Sequence, residues 1–274
     1  MYSVYKTEDL FNKLDSCTEK NEKVINFFST FSYNSIINQN IAKDNSAFVF
    51  KNAKNEDLTK SKIIEALNKL HPQTLSKSIN MIRSITFKTI DELHELVYQC
   101  IQKIKRDNDQ MRPLVAALCF EIINTYFITT EGTEIYFRKL LLEEVKREYL
   151  LSMNFDNDSW TKDKSEKNMI LIGTLFNGKI ITSSIMKDII NDFKKNIMYK
   201  ENSTPEEYEK IEKSLQILSC LISCIVLNED SKSIYGDLDL YLENIMLLYE
   251  KKTFITKKIR LVTKNSIEEL RKSF

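Results

Sequence analysis

Residues 89–106, TIDELHELVYQCIQKIKR, decide the fold class of this chain. An α-helix turns once every ~3.6 residues, so apolar residues in steps of three, four and one form a single stripe on its surface. Here the stripe consists of Ile90, Leu93, Val97, Cys100, Ile101 and Ile104. The opposite face carries the charged residues Asp91, Glu95, Lys103 and Lys105. The pattern predicts an amphipathic helix that buries its stripe against a neighbouring element.

The same periodicity recurs along most of the chain and predicts an all-α fold. The predicted helices span approximately residues 58–70, 72–85, 89–106, 110–127, 132–152, 164–177, 183–199, 205–228, 237–252 and 256–272. Four glycines and three prolines leave little material for the tight turns of a β protein. About five antiparallel helix pairs, one every roughly 35 to 45 residues, are typical of stacked HEAT-like repeats. An irregular helical bundle has the same periodicity and stays an alternative.

Two segments depart from this regularity. Residues 153–163 form a polar connection that we expect to cross the surface. In residues 1–56, Asn, Ser, Lys and Asp interrupt short apolar clusters, which predicts a flexible N-terminal arm. We therefore divide the chain into this arm and a repeat domain at residues 57–274.

Composition and charge exclude several classes of protein. The 40 basic and 39 acidic residues give a formal charge of +1, so RNA could be attracted only by a local patch. Five cysteines without a C-x-x-C spacing indicate reduced thiols in an intracellular protein. The sequence shows neither a signal-peptide pattern nor an uncharged apolar run of membrane-spanning length. We expect a soluble, cytoplasmic protein without a membrane partner.

No recognisable pattern for catalysis or metal binding is present. His71 and His94 cannot be matched with a nucleophile and a carboxylate at a known spacing. Cys220 and Cys224 share a helix face, but no third or fourth metal ligand lies nearby, so they are interpreted as core residues. The sequence NGK at 177–179 lacks the other residues of a phosphate loop, and its glycine is expected to end a helix. We expect a protein that is not an enzyme and needs no metal or cofactor.

Basic residues gather near the C-terminus of the sequence. They are Lys251, Lys252, Lys257, Lys258, Arg260 and Lys264. Such a patch fits contact with RNA phosphates or with an acidic protein surface. The alternative, which the pattern favours, is the solvated face of a helix near its C-terminus, where positive charge is stabilising.

Several stretches resemble the middle domain of eukaryotic translation initiation factor 4G. ALNKLHPQTL at 66–75 is similar to the LNKLTPQ entry of that domain, and FRKLLL at 137–142 to its FRKLLL helix. IGTLFNGKIIT at 172–182 is similar to its IGxLFxLKxLT stretch. KIRL at 258–261 and IEELR at 267–271 echo its RIRF and DLR elements. The order and spacing of these stretches agree throughout the predicted repeat domain.

Departures from the family pattern concern partner contacts more than the fold. Residues 153–163 stand where the family often has a long charged insertion, and Leu261 stands where it commonly has phenylalanine. Most matching residues are of the core or turn type, including Asn68, Pro72, Gly173 and Phe176.

The resemblance implies a helical scaffold, without activity of its own, that binds the DEAD-box RNA helicase initiation factor 4A. Phe87 lies at a predicted corner between helices, close to where some relatives place an aromatic helicase contact. The alternative is that this side chain packs onto the next helix. Both roles are kept open at this point.

The resemblance also implies a function for the stretch YKTEDLF at residues 5–11. Scaffolds of the 4G family carry, N-terminal to the middle domain, the motif Y-x-x-x-x-L-Φ that binds the cap-binding factor 4E. Tyr5, Leu10 and Phe11 fit this motif, and Leu14 adds an apolar position one turn after Leu10.

Two further observations bear on this motif. A second match, at Tyr136, Leu141 and Leu142, lies inside a predicted helix and is set aside. In the arm, a second apolar cluster follows the first motif and could form a second 4E contact or pack on the first repeat. It consists of Val24, Ile25, Phe27 and Phe28.

The sequence therefore predicts a minimal 4G-type translation initiation scaffold, with a 4E-binding arm, a helicase-binding domain and possible contact with RNA. One alternative is a competitive repressor that occupies 4E or the helicase. Another is a scaffold of the same fold in messenger RNA decay, splicing or nuclear cap binding.

Overall fold

A computed structural model of the chain describes residues 53–197, 204–225, 238–244, 246 and 257–272. This part of the chain is mainly helical, which confirms the all-α prediction. Its helices are α1 (Ala53–Asn68), α2 (Leu75–Arg83), α3 (Ile90–Arg106), α4 (Arg112–Glu121), α5 (Phe137–Met153), α6 (Lys162–Asn177), α7 (Ser183–Ile197), α8 (Pro205–Cys224) and α9 (Lys257–Lys272). Residues 238–244 are also helical. A hairpin of β1 (Tyr126–Ile128) and β2 (Glu134–Tyr136) separates α4 from α5.

The helices form a solenoid-like stack, in which each packs mainly on helices that are close to it in sequence. Helix α3 packs on α4, α5 and α6, and helix α8 packs on α6, α7 and α9. Because successive helices bury one another, the core runs along the stack instead of closing around a single centre.

Side-chain caps fix where several helices begin. The Thr89 hydroxyl accepts a hydrogen bond from the Glu92 N–H and starts α3. Thr204 and Glu207 form a capping box at the start of α8, with Pro205 in its first turn. These contacts satisfy N–H groups that have no partner inside the helix.

The predicted apolar stripe of α3 is buried as expected. Leu93, Val97, Cys100, Ile101 and Ile104 all belong to the core, and Ile90 packs against it from a partly buried position. The stripe explains much of the contact that α3 makes with three other helices. The prediction is wrong for Lys105, which was assigned to the exposed opposite face: its side chain is only 10% exposed and pairs with Glu148 of α5.

The prediction of two helices at 110–127 and 132–152 is wrong between Glu121 and Phe137. There the chain forms the antiparallel β1–β2 hairpin, in which Tyr126 pairs with Tyr136 and Ile128 with Glu134. Exposure alternates along β1, the period of a strand and not of a helix. Gly132 has φ +79, a conformation that glycine adopts without strain, and it lets the chain reverse between the strands.

Other boundaries differ by smaller amounts. Helix α1 begins at Ala53, so the predicted division at residues 56/57 falls inside this helix, and residues 1–52 lie outside the described part. The polar connection between α5 and α6 is anchored by its two aromatic residues. The Trp160 indole N–H donates to the Ser152 carbonyl at 2.9 Å, and the Phe155 and Trp160 rings meet edge to face.

No helix in the described ranges is both long and apolar enough to span a membrane.

Candidate functional site

The predicted 4E-binding residues lie outside the described part of the chain. This holds for Tyr5, Leu10, Phe11 and Leu14. It also holds for the second apolar cluster at Val24, Ile25, Phe27 and Phe28. The roles assigned to these two groups stay predictions.

The second motif match does lie within the described residues. Tyr136 immediately precedes α5, and Leu141 is fully buried in the core on that helix. A leucine buried in this way cannot enter a groove on another protein without unfolding its own helix. The structure therefore supports setting this match aside.

Phe87, the predicted helicase contact, lies between α2 and α3 with only 8% of its surface exposed. It belongs to the hydrophobic core. Because a partner can bind only the surface that is available to it, this burial favours the packing role. The exposed aromatic ring that a helicase contact would need is not present at Phe87.

The basic C-terminal patch is described in part. Lys257 and Lys264 are exposed on α9, and Arg260 between them is half-buried. Steps of three and four residues place these three side chains on one face of the helix. Lys264 lies 3.8 Å from Glu268, and Leu261 is exposed beside it.

The other members of the patch cannot be placed in this way. Lys251 and Lys252 lie outside the described residues, and the side chain of Lys258 is not described.

The residues that carry the family resemblance are mostly buried, as predicted from their type. Phe137 begins α5 with its ring fully buried, and Ile172, Gly173 and Phe176 lie in the buried part of α6. Asn68 and Pro72 differ, since both are exposed at the corner that follows α1. These two residues are available at the surface.

Two glycines let helices approach closely. A Cβ added at Gly173 would lie 2.9 Å from the Cβ of Cys224, so α6 and α8 touch where one side chain is missing. A Cβ added at Gly178 would lie 2.8 Å from the Cβ of Ala116. Gly178 ends α6, as predicted, but the left-handed conformation falls on Lys179, with φ 59. Glycine is therefore needed at 178 for space.

A buried polar cluster joins α3, α5 and α6. Lys105 and Glu148 form an ion pair at 3.1 Å, with 10% and 9% of their side chains exposed. The Asn168 amide donates to the Glu148 carbonyl at 3.0 Å and to the Ser152 hydroxyl at 2.8 Å. We call Lys105, Glu148, Ser152 and Asn168 the polar junction.

Burial shapes the electrostatics of this junction. Desolvation lowers the pKa of Lys105, because the charged ammonium loses water, and the Glu148 carboxylate opposes this effect. Sequence reasoning missed the junction. Its signal in the sequence was Asn168, a polar residue directly before the apolar run of α6.

A shallow cavity lies beside the polar junction. It has a cavity volume of about 10 Å³, enough for about one water molecule, is partly open to solvent, and is lined by residues that include Ser152, Trp160, Lys164 and Asn168. Pockets for small organic ligands usually have about 300 to 1,000 Å³. Among the described residues, no three His, Cys, Asp or Glu side chains are grouped so that they could hold a metal ion.

The described cysteines fall into two neighbouring pairs. Cys100 and Cys119 are fully buried, and a hydrogen bond between them together with burial raises the pKa of Cys119. Cys220 and Cys224 are only partly buried, so their interpretation as core residues holds in part. Their mutual hydrogen bond raises the pKa of Cys220 and lowers that of Cys224.

The β1–β2 hairpin presents apolar side chains to solvent. Tyr126 and Ile128 are 45% and 52% exposed, and the rings of Tyr126 and Tyr136 lie 5.6 Å apart. The Tyr136 hydroxyl donates to the Glu134 carboxylate. We call Tyr126, Ile128, Glu134 and Tyr136 the hairpin face.

No family model matches the chain, and no curated protein matches it by sequence. Among solved structures, the chain is similar to the MIF4G domain of Trypanosoma cruzi translation initiation factor EIF4G5. The identity is 10%, the TM-score is 0.43, and the match covers 79% of this chain and 96% of that one. We therefore derive a function from the residues of this chain.

Proposed function

We propose that this chain is a 4G-type translation initiation scaffold. Its helical stack binds the DEAD-box helicase initiation factor 4A, and its N-terminal segment binds a cap-binding 4E protein. One observation carries the proposal: the sequence stretches that resemble the 4G middle domain are also the stretches that set the helix packing. Phe137 and Leu141 anchor α5 in the core, and Gly173 sets the approach of α6 to α8.

Helix packing is relevant because a scaffold acts through the position of its surfaces. A DEAD-box helicase has two lobes that must come together during each ATP cycle. A protein that binds both lobes in their productive arrangement favours that state by its difference in affinity for the two arrangements. Such a role requires rigid surfaces and no catalytic groups, so we propose that the chain is not itself an enzyme.

The exposed face of α9 supports a role in contacting a charged partner. Lys257 and Lys264 project two positive charges beside the exposed Leu261. Local positive potential attracts either RNA phosphates or an acidic protein surface. Either contact is compatible with work on messenger RNA in the cytoplasm, where we expect the protein to act.

For the N-terminal motif we propose a helix-in-groove mode. Leu10 and Phe11 would enter an apolar groove on 4E, Leu14 would cover its edge, and Tyr5 would pack near the start of the helix. Burial of each large apolar side chain contributes roughly 1.5 to 3 kcal/mol. Ordering a free segment costs roughly 2 to 5 kcal/mol, so the short helix alone would bind modestly. A second contact through Val24 to Phe28 would raise its effective concentration.

Helicase ATPase activity tests the scaffold role. The full chain is titrated into a purified 4A-type helicase with saturating RNA, and ATP turnover is followed. We expect stimulation, because a scaffold favours the productive arrangement of the lobes. Inhibition would instead support the competitive repressor, and lack of helicase binding would contradict the proposal.

Affinity for 4E tests the motif. Replacing Leu10 and Phe11 together by Ala removes most of its apolar area and should cost about 3 kcal/mol or more, over a hundredfold in Kd. The same change is made in a peptide covering residues 1–18, where the second cluster cannot soften the loss.

Helicase binding and thermal stability serve as controls for this experiment, and both should be unchanged in the double variant. Equal 4E affinity of wild type and variant would show that the motif is a chance match. Failure of the full chain to bind any 4E protein would favour a scaffold in decay, splicing or nuclear cap binding.

A further inference from the structure

The hairpin face is held in place from below. The inward side chains of the two strands, Phe127 and Ile135, pack against the hydrophobic core. Backbone hydrogen bonds close the hairpin at both ends, from Phe137 to Thr125 and from Thr129 to Thr133. The face therefore has a fixed position on the helical stack, and a partner would not have to order it on binding.

The outward side chains share one side of the hairpin. Tyr126 lies opposite Tyr136, and Ile128 lies opposite Glu134. Side chains point alternately to the two faces of a strand, so all four point away from the core residues Phe127 and Ile135. An aromatic pair and a β-branched side chain thus form one exposed apolar surface.

The charge of the hairpin is of one sign. Residues 125–136 include Glu131 and Glu134, both exposed, and no basic residue. Outside the hairpin, Arg83 donates to the Glu121 carboxylate at 3.0 Å, and Arg138 and Lys139 lie in the first turn of α5. The apolar surface therefore carries negative charge on the hairpin itself.

This combination selects the chemistry of a partner. The face of a tyrosine ring attracts an arginine or lysine side chain, and a neighbouring carboxylate adds to that attraction. Tyrosine is also enriched at the centres of protein interfaces. RNA is disfavoured, because its phosphates would be repelled by Glu131 and Glu134.

We propose that the hairpin face is a docking surface for the helicase, at a site where the helicase presents an arginine or lysine among apolar side chains. The identity of the partner rests on the proposed function. A helicase that binds RNA phosphates carries basic surface, which complements the acidic hairpin. The hairpin would then be a contact distinct from the positive face of α9.

The experiment compares full-length variants by the Kd for a purified 4A-type helicase from the source organism. One variant, Tyr126→Thr with Ile128→Thr, removes the apolar surface and keeps residues that favour strands. A matched control, Tyr98→Gln with Leu150→Gln, removes an aromatic and an aliphatic side chain that are 47% and 55% exposed on α3 and α5. A third variant, Glu131→Lys with Glu134→Lys, reverses the charge.

We expect the hairpin variant to bind the helicase about tenfold or more weakly, as hot-spot residues do, while the control binds like wild type. Charge reversal should weaken binding more at low salt than at high salt, because salt screens the attraction. Thermal unfolding of each variant shows whether the fold is intact. The charge-reversal variant changes only exposed side chains, so it tests the surface even if the apolar variant unfolds.

The outcomes separate this inference from the function on which it rests. A wild-type chain that binds no helicase would overturn both. A wild-type chain that binds, together with hairpin and charge variants that bind equally well, would overturn the hairpin surface alone. Loss of RNA affinity with unchanged helicase affinity would make the hairpin a nucleic-acid surface and contradict the proposal.

Discussion

Helix α6 meets its two neighbours in chemically different ways. Toward α8 it presents Gly173, and the backbones approach until a Cβ at this position would lie 2.9 Å from that of Cys224. Toward α5 it presents Asn168, whose amide donates to the Glu148 carbonyl and the Ser152 hydroxyl. The α8 interface combines this close approach with a hydrogen bond from the Asn177 amide, at the end of α6, to the Cys224 carbonyl at 2.8 Å. The α5 interface depends on the buried hydrogen bonds of Asn168.

The difference teaches how each interface limits the helix. Close packing at Gly173 fixes the distance between α6 and α8 but by itself allows some sliding, because dispersion depends little on orientation. The hydrogen bond from Asn177 to Cys224 limits that sliding at the end of α6. Hydrogen bonds at the polar junction fix the register, since a donor displaced along the helix loses its acceptor. A single helix is therefore positioned by close approach and one hydrogen bond at its end on the α8 side, and by a buried polar cluster in its middle on the α5 side.

The largest expected effect sharpens this comparison at the polar junction. Glu148→Leu removes the carboxylate that pairs with the nearly buried Lys105 ammonium. An unpaired charge at such a position should lower the free energy of unfolding by about 3 kcal/mol. The double variant Lys105→Met with Glu148→Leu should lose much less, because no unpaired charge remains. Urea denaturation measures both. Equal losses in the single and double variants would show that the two side chains are not coupled.

A smaller effect is expected at the glycine interface. Gly173→Ala places a Cβ against Cys224, and overpacking of this kind costs about 1 to 3 kcal/mol, offset by the ~1 kcal/mol that alanine gains in a helix. A net loss of about 1 kcal/mol should appear in urea denaturation. The double variant with Cys224→Gly lacks the Cβ that the new alanine side chain would contact, so the clash should be relieved. A Gly173→Ala variant that is more stable than wild type would contradict this prediction, because it would show that the space between α6 and α8 accommodates a Cβ at position 173.

The connection between α5 and α6 offers a third test. Trp160→Phe keeps an aromatic ring next to Phe155 but removes the indole donor to the Ser152 carbonyl. The loss of one such hydrogen bond should cost about 1 kcal/mol. Thermal unfolding measures it, with Ser159→Ala, an exposed position of the same connection, as a control. An unchanged melting temperature would show that the ring alone anchors the segment.

The smallest effect is a change in pH dependence next to the polar junction. Burial raises the pKa of Tyr149 above its ordinary value of 10.0, and Asp192 adds to the shift. Below about pH 10 both the folded and the unfolded chain keep this proton, but at higher pH the unfolded chain loses it first. Stability is therefore full below the unfolded pKa and falls as the pH rises above it.

Tyr149→Phe cannot ionise, so this variant should lose less stability than wild type between about pH 9 and pH 11. Urea denaturation at several pH values gives the slope of the unfolding free energy against pH for wild type and for the variant. Parallel slopes would show that the Tyr149 phenol is not protected from ionisation in the folded state.

These interfaces also show what could be predicted. The stripe of α3 and the capping box of α8 were recognisable because both depend on residues a few positions apart in sequence. The β1–β2 hairpin was missed, because a short segment of Tyr, Phe and Ile satisfies a helical apolar pattern when a tertiary neighbour is not known. Its alternation became meaningful only once Phe127 and Ile135 were seen against the core.

The candidate sites divide in the same way. The 4E-binding motif at Tyr5, Leu10 and Phe11 was assigned from its spacing together with the resemblance to the 4G family, and it stays a prediction. Phe87 illustrates the limit of such reasoning. An aromatic residue between two helices fits both a helicase contact and packing onto the next helix until its burial is known. The hairpin face could not be foreseen, because its apolar residues are exposed only through the pairing of two strands.

The sequence by itself determined the helical class of this protein, most helix positions and the helix cap at Thr204, since periodicity and capping act over one or two turns. Only the tertiary structure decided that Gly173 would touch α8, that Lys105 would pair with Glu148, and that Tyr126 would face solvent. Each of these contacts joins residues that are far apart in the sequence. They form only when the whole stack packs, so no local sequence pattern predicts them.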